Sequence, residues 1–418
     1  MEKDSSWNGI PYSAFATFAE QYGTPFFLYD ADAIKERIGR IRMRFEGLAQ
    51  IYYAVKVNPN VELLRALCGV VDGLDISSEG ELAQALLAGF DAASLGFAGP
   101  AKTGSELTDA IEQGVGFISI ESPRELSECV RLSVQLGVKA NIGVRINPRL
   151  LNRSFGIKMG GKAIQFGIDE EELGPVLNRI LEENDHVSFR GVHVYAGSQC
   201  FEAEAIVEGV ANTLRLVEEI EAETGLLCPM INLGGGFGFA HGEADRTLDV
   251  ERLADQLLPV LRSFHRSTDV RRRIVFELGR FLTADAGIYV TRIVSSKQSR
   301  GTAFFMADGG LNHHLAAAGV FGAALRSNYP LRNLSRPDAE RIRCSIAGPS
   351  CNPTDLLAID AELPRPQLGD LVGVLKSGSY GFTASPLLFL GHRTPVELVR
   401  HDGAIFLARR SRSMREFN

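Results

Sequence analysis

Four short stretches carry residue types able to do covalent or proton-transfer chemistry. In IYYAVKVNPN (residues 51–60), Lys56 stands near the end of an apolar run, just before the turn signal Asn58-Pro59-Asn60. A lysine at a strand end commonly packs its stem and lets the ammonium reach solvent. The sharper reading is an amine made nucleophilic by burial or neighbouring charge, as in a Schiff-base lysine. In INLGGGFG (residues 231–238), Gly234, Gly235 and Gly236 clear side chains from a turn whose N–H groups could meet a phosphate. The run is neither GxGxxG nor a Walker loop, and a plain tight loop is the alternative. Ser198 after Gly197 and Arg280 after Gly279 are two further phosphate candidates. Glu277 and Arg280 share FELGR, either as an ion pair at a rim or with the carboxylate keeping a pyridine nitrogen protonated. Cys351, in GPSCNPTD, lies among loop-forming residues rather than in an apolar run, which makes it a candidate proton donor. An amine, a phosphate cradle and a carboxylate for a ring nitrogen together suit pyridoxal phosphate (PLP).

The elements that must position these residues follow a simple rhythm. From Ile51 onward, short runs rich in β-branched and aromatic residues (IYYAVKV, GLDIS, ASLGFAG, GFISIES, ANIGVRIN, FRGVHVYAG, MINLGGG, RIVFELGR) alternate with stretches of helical period. Ser122-Pro123-Arg124-Glu125 reads as a capping box with proline at the first helical position. Eight strand signals match a (β/α)₈ barrel, although pattern alone also allows an open doubly wound sheet. Lys56, Asp75, Arg145, His193, Ser198, the triple glycine, Glu277 and Arg280 all fall at or near the C-terminal ends of the runs, where a barrel builds its active site. After about Phe281 the helical period fades into short strand-like runs, so the expected organisation is α/β. A TIM barrel spans residues 33–281, and a β-rich domain is formed by residues 282–418 together with residues 1–32, which contain the strand-like Pro25-Phe-Phe-Leu-Tyr29.

A chain of 418 residues has ample material for a barrel and a smaller domain. Its net charge of -7 argues against general affinity for nucleic acid. No apolar run is long enough to span a bilayer and MEKDSSWNGI lacks a signal-peptide pattern, so the expected compartment is the cytoplasm, with no membrane partner. Six cysteines without CxxC pairs fit reduced thiols, and no metal site is expected.

AVKVNPN, GLDISSEGEL, HVYAGSQ, NLGGGFG, ELGR, GPSCNPTD and GSYG stand in an order that resembles the fold-type III PLP-dependent decarboxylases, including diaminopimelate and ornithine decarboxylases, over nearly the whole chain. The resemblance implies an alanine-racemase-like PLP barrel and a homodimer with shared active sites. It places the cofactor on Lys56, its phosphate on Ser198, Gly235, Gly236, Gly279, Arg280 and Tyr380, its pyridine nitrogen on Glu277, and Asp75 beside the lysine. Cys351 from the partner subunit would be the proton donor, with Asp355 nearby. Several positions depart from the diaminopimelate pattern. Tyr195 stands where the family's ring-stacking histidine is usual, with His193 two residues earlier, so either could face the ring. Asn352 replaces the glutamate that meets a distal ammonium. The segment containing His313 and His314, which become substrate-binding candidates, lacks the arginine for a distal carboxylate. Leu278 replaces a proline in ELGR.

With KMGGKAIQFGID and SPLLFLGHRTPVEL, these departures resemble the branch acting on a glutamyl group tethered to an acyl carrier protein. That implies a carrier-bound aminoacyl substrate, and Arg149, Arg153, Lys158 and Lys162 then offer a basic docking loop. The rival readings are decarboxylation of a free amino acid such as diaminopimelate, ornithine or lysine, a racemase, and a non-catalytic PLP-binding regulator. Racemases of this fold set arginine, not glutamate, against the ring nitrogen.

Overall fold

The structure is a computed structural model that describes residues 5–149, 155–158 (backbone), 160–240, 242, 247–266, 272–319 and 327–417. Eight strands, Gln50–Ala54, Gly73–Ile76, Leu95–Phe97, Phe117–Ile120, Ala140–Asn147, Val187–His193, Met230–Asn232 and Arg273–Leu278, pair in parallel, each with the next. The last pairs with the first through Val275 and Gln50, which closes the barrel and excludes the open sheet. The barrel floor is filled rather than hollow. Tyr52, Phe117, Met230 and Val275, from the first, fourth, seventh and eighth strands, form a buried cluster of their own. The two rings fit because neighbouring strands offer glycine: a Cβ at Gly73 would lie 2.5 Å from the Tyr52 ring, and one at Gly143 would lie 1.9 Å from the Phe117 ring. Packing therefore stops any passage through the barrel and leaves only its upper end for chemistry.

Helices follow the strands as the periodicity predicts, and their ends show local causes. Thr103 and Glu106 make a complete capping box at the helix Gly104–Glu112. At the helix Pro123–Leu136 the expected box is only half made. Ser122 accepts from Glu125 N, but the Glu125 carboxylate turns back to Glu121 N at 2.7 Å, drawn there by Lys102, whose Nζ lies 2.9 Å away. Several elements escaped the sequence reading, the helix Ala31–Arg44 among them. The helix Tyr12–Tyr22 packs Tyr12, Phe15 and Ala19 against a second core containing Phe26, Leu28, Ile288 and Leu398. Phe155–Lys158 pairs antiparallel with Gly197–Cys200 and so bridges the fifth and sixth barrel loops.

The wholly buried strand Phe26–Asp30 belongs to the second sheet, antiparallel to Gly287–Ser299 and parallel to Val396–His401. Chain ends more than 350 residues apart in sequence are thus joined in one sheet. Among the described residues no helix is long and apolar enough to cross a membrane.

Candidate active site

The first barrel strand ends at Ala54, two residues before Lys56. Lys56 occupies the middle of a 3₁₀ turn, Val55–Val57, with a buried valine on either side. This turn is anchored from three directions. Tyr53 Oη donates to Asn58 O at 2.9 Å, Asn58 Nδ2 donates to Gly378 O at 3.3 Å, and Tyr380 N donates to Val57 O at 2.7 Å. The β domain therefore helps to hold the lysine. Its side chain retains 47% accessibility where it borders the pocket, and its Nζ lies 3.2 Å from Asp75 Oδ2 at the end of the second strand. The Asp75 charge raises the ammonium pKa above the ordinary lysine value against the opposing effect of burial.

Glu277 enters the same pocket from the eighth strand. Burial, then the Asp75 charge, push its carboxyl up to about 8, while Lys56 and Asn232 oppose the shift. Asn232 Nδ2 donates to Glu277 Oε1, and Asn232 Oδ1 accepts from Gly234 N at 2.9 Å. The triple glycine is explained by this closeness as much as by any ligand. A Cβ on Gly235 would sit 1.9 Å from Glu277 O, and Gly234, at φ +61°, leaves no room for one beside the Tyr195 ring. Of the three, Gly236 faces the pocket, together with Ser198, Gly279, Arg280, Tyr195 and Tyr380. The Arg280 guanidinium stacks 4.7 Å over the Tyr380 ring. Gly235 borders the cavity on the other side of its turn, and the absence of a side chain there is required by Glu277 O.

His193 and Tyr195 separate clearly. Tyr195 lines the pocket, and burial pushes its hydroxyl up to about 12. His193 lies beneath, 2% accessible, with Nδ1 3.0 Å from Ser119 Oγ and Nε2 3.6 Å from Glu277 Oε2. Burial, aided by the charges of Arg145, Lys56 and Lys102, holds the imidazole well below its ordinary pKa and hence neutral. Arg145 is paired with Glu121 at 2.8 Å and Lys102 with Glu125. Sequence reasoning placed Arg145 at the strand ends but had no signal for Ser119, Asn232 or Lys102, which are ordinary residues until the barrel closes.

The predicted substrate residues are not brought to Lys56 within one chain. Cys351 is exposed on the loop between the strands Arg341–Ala347 and Leu356–Pro364. Asn352 Oδ1 accepts from Thr354 N and Oγ1, forming a local turn. Asp355 is 2% accessible and clamps two loops, accepting from Leu311 N at 2.6 Å and Ser350 N at 2.9 Å. His313 and His314 are likewise closed off. His314 bonds Ser377 Oγ at 2.9 Å among the rings of Phe27, Tyr289 and Tyr329. His313 bonds Arg393 O at 2.9 Å, and burial brings it down to about 4. In the basic loop, Arg149 is already paired with Glu171 at 2.8 Å, Lys162 is exposed, and Arg153 and the Lys158 side chain lie outside the described residues.

A cavity of about 490 Å³ lies elsewhere, against the helix Ala203–Thr224, but its walls of Ile206, Val210, Leu233 and Phe276 offer no nucleophile. Among the described residues no group of three or more metal-ligating side chains gathers.

Comparison with known proteins shows the family of the chain. The family model "Pyridoxal-dependent decarboxylase, pyridoxal binding domain" matches residues 31–284. The chain is 37% identical over 408 residues to the L-glutamyl-[BtrI acyl-carrier protein] decarboxylase of Niallia circulans, covering 96% of this chain and 94% of that protein. It is 30% identical to the diaminopimelate decarboxylase of Aquifex aeolicus, over 94% of this chain and 90% of the other. The diaminopimelate decarboxylase of M. jannaschii in co-complex with L-lysine superposes with a TM-score of 0.87 at 26% identity, over 98% and 94% of the two chains.

Proposed function

Since the chain belongs to the pyridoxal-dependent decarboxylases, we propose that it is a PLP-dependent carboxy-lyase that removes the α-carboxylate of an aminoacyl group, most specifically a glutamyl-like group carried as a thioester on an acyl carrier protein. The observation that carries the decarboxylase reading is the meeting of Lys56, Asp75, Glu277 and Arg280 at the open end of the barrel. The residues present fit the cofactor. Gly236 and Gly279 keep the pocket wall free of side chains, a Cβ at Gly279 would lie 2.5 Å from Val57 Cγ1, and Arg280 supplies a fixed positive charge. A buried Asp75 Oδ1 has no hydrogen-bond partner.

When bound, the cofactor supplies an electron sink for the pair left by the breaking Cα–carboxylate bond. Lys56 would be the attachment point, and Asp75, 3.2 Å from its Nζ, holds the side chain at the pocket. Ser198, Gly236, Gly279, Arg280 and Tyr380 would hold the phosphate, while Tyr195 offers the aromatic wall. Glu277 would face the ring nitrogen, where its carboxylate would favour the protonated ring. Cys351 is exposed and is not among the residues lining its own chain's Lys56 pocket, which supports its contribution across a homodimer as the acid that would protonate Cα after carbon dioxide leaves.

The carrier-bound substrate is supported by the name and 37% identity of the Niallia circulans relative, and by Asn352, an uncharged amide that offers nothing to a distal ammonium. The free-amino-acid reading is supported by the diaminopimelate decarboxylases at about 30% identity. Intact-mass measurement of carbon dioxide loss separates the two, with glutamyl-loaded carrier protein compared against free glutamate, lysine, ornithine and diaminopimelate. Preference for the carrier thioester is expected, and preference for a free diamino acid overturns that substrate. Lys56→Ala should abolish both turnover and the visible absorption of lysine-bound cofactor, and an unchanged Lys56→Ala enzyme would end the decarboxylase reading.

A further inference from the structure

The C-terminal surface of the β domain combines two features that proteins rarely leave open. The turn 386–391 exposes Leu388 (50%), Phe389 (40%) and Leu390 (50%), and Phe417 (45%) lies on the neighbouring C-terminal turn. The two segments form one surface. Arg393 Nε bonds Ser411 Oγ at 3.2 Å, Thr394 N donates to Arg412 O at 2.9 Å, and a Cβ at Gly391 would lie 3.3 Å from Met414 Cγ. The same two segments carry the exposed Arg393, Arg410, Arg412 and Arg415, of which Arg393 and Arg412 act on the Glu416 carboxylate. Nearby arginines are neutralised within the fold: Arg409 pairs with Glu397 and Arg400 with Asp30. No ion pair joins Arg410, Arg412 or Arg415 to a carboxylate among the described residues, in a chain whose net charge is -7. A local positive field on a negative protein is a signature of an electrostatically chosen partner.

A second observation points the same way. Leu390 is held at φ +58°, a left-handed conformation that disfavours a branched side chain, and it turns that side chain to solvent. Strain kept at an exposed apolar residue suits a contact surface better than folding. The same chain segment leads to the active site, since Tyr380 lines the cofactor pocket and eight residues later stands Leu388. Eight residues span at most about 28 Å. The stretch between is pinned by Ser385 Oγ, which donates to Gly381 O and accepts from Leu315 N.

We propose that this surface, rather than the loop after the fifth barrel strand, is where an acidic carrier protein docks, with its apolar side chains over Leu388–Leu390 and its carboxylates on Arg410, Arg412 and Arg415. The inference rests on the carrier-bound reading of the substrate. A second copy of the chain is a poorer occupant, because a two-fold contact through this patch would set arginines against arginines.

The test uses the holoenzyme with two glutamyl thioesters, one on the BtrI carrier protein and one on the small surrogate N-acetylcysteamine. Reversing Arg410, Arg412 and Arg415 to glutamate should lower kcat/KM for the carrier substrate about tenfold or more, with loss of its salt dependence, and leave the surrogate unchanged. Leu390→Gly should also slow the carrier substrate, yet hold or raise Tm because glycine accepts the left-handed backbone. A wild-type enzyme inactive on both thioesters overturns the carrier reading itself. A wild type active on the carrier whose activity survives both variants overturns the docking surface alone. So does an equal loss on carrier and surrogate, or dissociation of the enzyme's subunits by the charge reversal.

Discussion

At the scale of single residues, the site is a balance among Lys56, Asp75 and Glu277. Asp75 favours the charged amine, and the same negative charge, added to burial, keeps a proton on Glu277. The consequence for the cofactor-free protein can be signed. Glu277 has a folded pKa of about 8 against 4.5 for the free group, so between those values the folded state binds the extra proton and stability falls as pH rises. His193 acts in the other direction only below its ordinary value, because it is neutral when folded. Glu277→Gln should therefore gain on the wild type as pH increases from 5 to 8, with the difference in Tm levelling above 8. Thermal melts of the two apo proteins across that range check it, and a pH-independent difference would mean that Glu277 is ionised throughout. Lys56, Glu277 and Arg280 were legible as chemistry because their side-chain types are unusual at strand ends. Gly235 was legible only as a glycine, since the partner that requires it, Glu277 O, is 42 residues away in sequence.

At the scale of elements, the loops matter more than the strands that carry them. The loop bearing Cys351 is tied to the segment Gly309–Asn312 by Asp355, which accepts two backbone N–H groups, and Gly310 and Gly348 give way to its carboxylate, where a Cβ would lie 2.2 Å from Oδ1. Hydrogen bonds to a buried charge contribute about 1.5–3 kcal/mol each. Asp355→Ala should thus cost about 2–4 kcal/mol in denaturant unfolding and increase incorrectly protonated product, as Cys351→Ala should, whereas a variant that loses stability with normal product would leave Asp355 without a role in placing the cysteine. Asp355 looked like a substrate residue in sequence because it follows the cysteine motif. Its burial, which the motif does not report, gives it a structural task as well. The burial of His313 and His314 was equally illegible, since a polar pair in a loop sequence can be packed wholly inside by strands from both ends of the chain.

At the scale of the whole molecule, two halves share one site. The turn holding Lys56 is bonded to Gly378 and Tyr380 of the β domain, so the barrel alone would lose part of the lysine's support. If Cys351 acts across a homodimer, mixing Lys56→Ala and Cys351→Ala subunits should restore about a quarter of the wild-type yield of correctly protonated product, because random pairing leaves half the dimers with one intact site. No recovery after subunit exchange, confirmed by native mass spectrometry, would place both residues in the same chain's site.

By itself, the amino-acid order determined the alternation of strands and helices, the β-rich second half, and the lysine, glutamate and arginine at strand ends, because these follow from periodicity, turn chemistry and residue type within a few neighbours. The helix Tyr12–Tyr22 and the pairing of Phe155–Lys158 with Gly197–Cys200 were not legible, the first being short and aromatic, the second depending on a partner some 40 residues on. Only the tertiary structure decided that His193 lies under the pocket on Ser119, 74 residues away, while Tyr195 faces it. It alone set Asp355 as a clamp and brought the C-terminal turn against the turn 386–391. Barrel closure and burial choose such contacts, and neither is a property of a local stretch of chain.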